Sequence, residues 1–104
     1  MTIRKKSKAV KEIEKIRGSR MSFSELLRSV RMTEEMTQAE LAHRSKTSKA
    51  KICDYEKGRR TPSLDLAAKM AKSLGHSQAL FVATLIEEQL REANLKLKIK
   101  IEAA

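Results

Sequence analysis

Lys49, Ala50, Lys51 and Asp54 fall in one short run of the chain, and their side chains have the chemistry to read the edges of base pairs. A lysine ammonium donates to guanine O6 and N7, a carboxylate accepts from cytosine N4, and an alanine methyl packs on the methyl of thymine. Gln38 and Ser48 before this run, and Lys57, Arg59 and Arg60 after it, offer the donors that phosphate oxygens take. Such contacts fix register without reading sequence. Each residue also has a plainer use, with Gln38 and Ser48 as helix caps and Lys57 to Arg60 as a solvated basic turn.

No other chemistry assembles from the reactive side chains. His43 and His76 are far apart in the chain, and no set of His, Cys and carboxylate residues shows ligand or triad spacing. The expectation is a protein that is not an enzyme and has no catalytic residue, no metal and no cofactor. Cys53 is the sole cysteine; a half-buried filler is the plainer reading, a redox-sensing thiol beside basic groups the sharper one. With one cysteine there is no internal disulfide, which places the chain in a reducing cytoplasm.

The charge balance narrows the partners. Lys and Arg number 23 against 13 Asp and Glu in 104 residues, a formal net charge of +10. A field of that strength favours phosphate-rich or acidic partners over neutral small molecules, and nucleic acid, an anionic surface and an acidic protein all satisfy it. No stretch approaches the length of a membrane span, so no membrane partner is expected. Met1 to Arg20 hold eight Lys or Arg against two Glu, a net of +6. That stretch is an arm, not part of a core, and it suits phosphates, a minor groove, or a toxin or other protein partner bound through residues 1–20. Glu12 and Glu14 count against an organelle presequence.

Five helices would position the reading side chains. Thr37 with Glu40 forms a capping pair that opens one short helix, and Ser48 opens the next. Leu41 and Ala42 fall on the inner face of the first, and Ile52, Tyr55 and Glu56 on that of the second, which leaves Lys49, Ala50, Cys53 and Asp54 outward. Both are too short to stand alone. Ser22 with Glu25 opens an earlier helix whose stripe is Phe23, Leu26, Leu27 and Val30. Arg31 continues that stripe, and a buried guanidinium there needs a carboxylate, with Glu56 the best placed. After Gly58 and Pro62, Ser63 caps a helix with Leu66, Ala67, Met70, Ala71 and Leu74 inward, ending at Gly75. A last helix starts near Ser77, and its front half, Ala79 to Ile86, is apolar almost all round, so a second side needs cover.

Leu95 to Glu102 alternate apolar and charged residues without a break, the pattern of a strand with one buried face. A lone strand needs a partner, most simply its own copy across a two-fold axis. Leu95, Leu97, Ile99 and Ile101 would then form the dimer interface, with Lys96, Lys98 and Lys100 outside.

The sequence Thr37-Gln38-x-x-Leu41-Ala42 followed by Ser48-x-x-x-Ile52-x-x-Tyr55-Glu56-x-Gly58-x-Arg60-x-Pro62-Ser63 resembles the Xre type of helix-turn-helix family, that of the Cro-like phage repressors. The resemblance runs from about Phe23 to Leu80. It implies a five-helix DNA-binding domain, with Gln38 at a phosphate, with Lys49, Ala50 and Asp54 facing bases, and with an internal ion pair between Arg31 and Glu56. Two departures stand out. Lys46 occupies a turn where the family usually has glycine, so a residue with a β-carbon is expected at positive φ for about 1 kcal/mol. Glu35 and Met36 replace the glycine common before the Thr-Gln pair.

The expected fold is mainly α, a five-helix repressor-like domain with a single C-terminal β-strand pairing across a dimer. Residues 1–20 form the arm, 21–92 the helix-turn-helix domain and 93–104 the dimerisation strand. The expected function is a cytoplasmic homodimer that binds double-stranded DNA sequence-specifically. It would repress transcription from a palindromic operator whose half-sites lie about one helical turn apart. Two alternatives are an antitoxin that autoregulates its operon and an interaction adaptor that binds nucleic acid without sequence choice.

Overall fold

Five hydroxyl side chains set where the helices begin. In the computed structural model, which describes the backbone of residues 21–103 and the side chains of residues 21–95, each accepts the amide N–H three residues on. Ser22 takes Glu25 at 3.2 Å, Thr37 takes Glu40 at 3.0 Å, and Ser48 takes Lys51 at 3.2 Å. Ser63 takes Leu66 and Ser77 takes Leu80, both at 3.1 Å. Each cap satisfies an amide that the helix start leaves bare, for about 1 kcal/mol. The helices that follow are α1 (Phe23–Thr33), α2 (Gln38–Arg44), α3 (Lys49–Glu56), α4 (Leu64–Ser73) and α5 (Gln78–Ala103). Thr37 does double duty, since its hydroxyl also donates to the Glu40 carboxylate at 3.1 Å.

Among the described residues, four turn the chain at positive φ. Gly58 at 73° and Gly75 at 69° follow α3 and α4, while Glu35 at 53° and Lys46 at 57° stand in the turns on either side of α2. Glycine takes this conformation freely, whereas a β-carbon there meets the neighbouring carbonyl, so the last two carry strain.

The inner faces meet in one core. Phe23, Leu26 and Leu27 of α1, Leu41 of α2, Ile52 of α3, Met70 of α4, and Phe81 and Leu85 of α5 are all buried. The rings of Phe23 and Phe81 meet edge to face, 5.8 Å between centroids, the arrangement that their quadrupoles favour. α5 lies across α4 and α1, and the α2–α3 pair is braced by α1 and α4. The front of α5 buries Leu80, Phe81, Thr84 and Leu85, whereas Ile86 is exposed.

The expected strand at 95–102 is not formed, and no strand occurs among the described residues; α5 runs through these positions to Ala103. Within one chain a strand here would have no partner for its backbone. A helix already nucleated at Gln78 gains one hydrogen bond for each residue it adds, and leucine, lysine, glutamate and alanine extend it readily. Leu95, Leu97, Ile99 and Ile101 therefore do not share a strand face. Leu95 is exposed, and the other three side chains lie outside the described residues. The arm expected over residues 1–20, with the partner assigned to it, also lies outside them. No helix among the described residues is long and apolar enough to cross a membrane.

Candidate nucleic-acid interface

Ile52 and Tyr55 anchor α3 in the core and so decide which side of it faces outward. On that side Lys49, Ala50 and Lys51 are exposed, and Cys53 and Asp54 are half-buried. The Ser48 hydroxyl is engaged as the cap of α3, which leaves its own O–H as a donor. The helix starts with amide groups and two lysines facing solvent, a region of positive potential.

Behind this face lies a buried ion pair. Arg31 Nε and Nη2 reach Glu56 Oε2 at 2.6 Å and Oε1 at 2.9 Å, a two-pronged contact, with the two side chains 14% and 3% exposed. Arg31 Nη1 donates to the Met36 carbonyl at 2.8 Å, so the guanidinium ties α1 both to the end of α3 and to the turn before α2. The hydrogen bonds that Arg31 donates to Glu56, opposed by burial and aided by the carboxylate charge, hold the Arg31 guanidinium above its ordinary range. Gln38 joins the pair, its Nε2 donating to Glu56 Oε1 at 3.1 Å. A primary amide has two N–H donors, so one is left for a ligand.

Arg28, Gln38 and Lys57 line an open cleft over the Arg31 and Glu56 pair. Arg28 is a member that the sequence pattern did not single out. It stands three positions before Arg31 and so shares that side of α1, but only the packing of the helices brings it beside Gln38 and Lys57. Near the same C-terminal end of α3, Arg60 Nε lies 3.2 Å from Asp54 Oδ2, and the Arg59 amide donates to the Asp54 carbonyl at 2.9 Å. The basic turn thus folds back on α3, and the carboxylate that was matched to cytosine already holds an arginine. Lys57 and Arg59 stay exposed.

The histidines do not join the site. His43 is exposed on α2, and His76 sits beside Phe81 with 6.4 Å between ring centroids. Among the described residues there is no group of three or more His, Cys, Asp or Glu that could hold a metal ion.

A helix-turn-helix domain family model matches residues 22–83, which includes all five helix starts. An immunity repressor protein of Bacillus phage phi105 is 31% identical over 78 residues, 73% of this chain and 54% of that protein. The chain spans about half the length of this curated relative. No solved structure matches it.

Proposed function

The chain belongs to the helix-turn-helix domain family, and from that premise we propose that it is a dimeric, sequence-specific DNA-binding repressor of transcription. In this reading α3 enters the major groove, where Lys49, Ala50, Lys51 and Asp54 meet base edges. Gln38, Ser48, Lys57, Arg59 and Arg60 hold phosphates and set the angle of entry. The observation that carries the reading is the two-faced character of α3. Ile52 and Tyr55 hold one side in the core, and the other offers Lys49 and Lys51 to solvent.

Repression follows from occupancy, since a protein seated in the groove at a promoter blocks the polymerase from the same duplex. The phage relative is an immunity repressor protein, which supports this direction of control. A second copy doubles the interface. On α5, Ile86 and Leu90 stand four residues apart on one flank and are 37% and 58% exposed, which suits packing against the same flank of a second copy. Residues 21–92 serve as the reading domain, and the +6 arm of residues 1–20 adds phosphate contacts. Two-fold symmetry sets a palindromic operator with half-sites about one helical turn apart. The cytoplasm, where bacterial and phage promoters lie, is the compartment.

A gel shift in which a promoter-length duplex competes with excess random duplex tests the reading. Retention of the defined duplex is expected. Complete displacement by random DNA would leave a non-specific adaptor instead.

A further inference from the structure

Away from α3, a second concave surface collects positive charge. The end of α2, the turn that follows it and the outer side of α4 enclose an open cleft of about 450 Å³, lined by Arg44, Ser45, Lys46, Lys69, Lys72 and Ser73. Its floor is closed, because the buried Ser45 hydroxyl donates to Ser73 Oγ at 3.2 Å and the Ser73 hydroxyl donates to the Lys69 carbonyl at 2.9 Å. Lys69 has one exposed carboxylate neighbour, Asp65 at 3.3 Å. Among the described residues, Arg44, Lys46 and Lys72 have no carboxylate partner.

Two costs coincide at this cleft. Four cations share one concavity, where field lines of a single sign are focused. Lys46 also contributes its charge from φ 57°, a conformation that glycine would take without strain. Glu35 has a similar φ of 53° but faces no such cleft. Only at Lys46 does the strain hold a charge among like charges.

We propose that this cleft is a docking site for an acidic peptide segment of a partner protein. Its lining takes nothing from α3, from Gln38 or from the turn of Lys57, Arg59 and Arg60, so it is separate from the surface proposed for DNA. Its concave shape favours carboxylate side chains reaching inward.

The test is a titration of the isotope-labelled full chain, followed by amide NMR shifts, with a ten-residue glutamate peptide and in parallel with a random-sequence duplex. The peptide should shift the amides of Arg44, Lys46, Lys72 and Ser73 most and in a saturable way, and the duplex should leave them in place. Lys46→Gly should weaken peptide binding about threefold, the usual worth of one exposed charge contact, while raising the melting temperature. Lys72→Ala should weaken it similarly with the melting temperature unchanged. Cleft shifts caused by the duplex would make this a nucleic-acid surface and overturn the proposal. So would peptide shifts spread evenly over α3, no saturable shift at all, or unchanged peptide affinity in both variants.

Discussion

The side-chain amide of Gln38 donates to Glu56 Oε1 at 3.1 Å, the oxygen that also accepts from Arg31 Nη2 at 2.9 Å. A residue at the proposed phosphate surface is thus held from behind by a buried ion pair. Its rotamer is set before any ligand arrives, which lowers the entropy lost on binding.

Glu56→Ala should therefore do two things at once. It leaves the Arg31 guanidinium largely buried with only the Met36 carbonyl as partner, and removing one member of such a pair costs about 3–5 kcal/mol. Replacing both, as Arg31→Met with Glu56→Leu, should recover most of that stability. DNA affinity of the double variant should stay below wild type, because Gln38 is no longer held. Urea denaturation and fluorescence anisotropy separate the two effects. The arginine adds no pH switch. Its raised pKa means that its stabilising contribution is fully present below the unfolded value and is lost only as pH rises through the still higher folded one, at the strongly alkaline end.

Asp54→Ala frees Arg60. The pair is 60% and 28% exposed on its two sides, so stability should move by less than about 0.5 kcal/mol. Affinity for random duplex should rise as a carboxylate is removed from the surface that meets phosphates, and discrimination at one base position should fall by about tenfold, the scale of one lost base contact. Competition binding against specific and random duplexes reads both.

Arg28→Ala and Lys57→Ala should weaken binding to all sequences alike. Each should also reduce the slope of log affinity against log salt by about 1. Lys69→Ala, which lies in the separate basic cleft, should leave that slope as it is. Binding isotherms at a series of salt concentrations check the three together.

Leu90→Lys places a charge on the exposed flank of α5. Sedimentation velocity should show a shift to monomer, and operator affinity should drop because the two half-sites are no longer linked. The melting temperature of the reading domain should hold, since Leu90 is exposed and outside its core.

The sequence made some of this legible and hid the rest for identifiable reasons. Ser22, Thr37, Ser48, Ser63 and Ser77 announce helix starts because capping is a local interaction, settled within three residues. The positive φ of Lys46 was legible only through the resemblance, because the family usually has glycine in that turn. Arg31 on an apolar stripe signals a carboxylate partner, because a buried charge cannot stand alone, and the structure puts Glu56 there. Leu95 to Glu102 misled, because period-two alternation describes a strand only when a second strand is present to pair with it. In a single chain the helix begun at Gln78 already satisfies that backbone. The link from Arg60 back to Asp54 crosses the Gly58 turn, and no periodicity reports contacts across a turn. Arg28 was passed over because it adds to no apolar stripe and closes no motif, and its place beside Gln38 and Lys57 emerges only when α1, α2 and α3 are packed.

The central claim is that the outward face of α3 chooses the bases, and selection from a pool of random duplexes by the full chain tests it most directly. Wild type should enrich a two-fold symmetric site with half-sites about one helical turn apart, and Lys49→Ala should lose the preference for guanine at one position in each half while keeping the rest. No enrichment by wild type, or the same motif from Lys49→Ala, Lys51→Ala and Asp54→Ala alike, would contradict it.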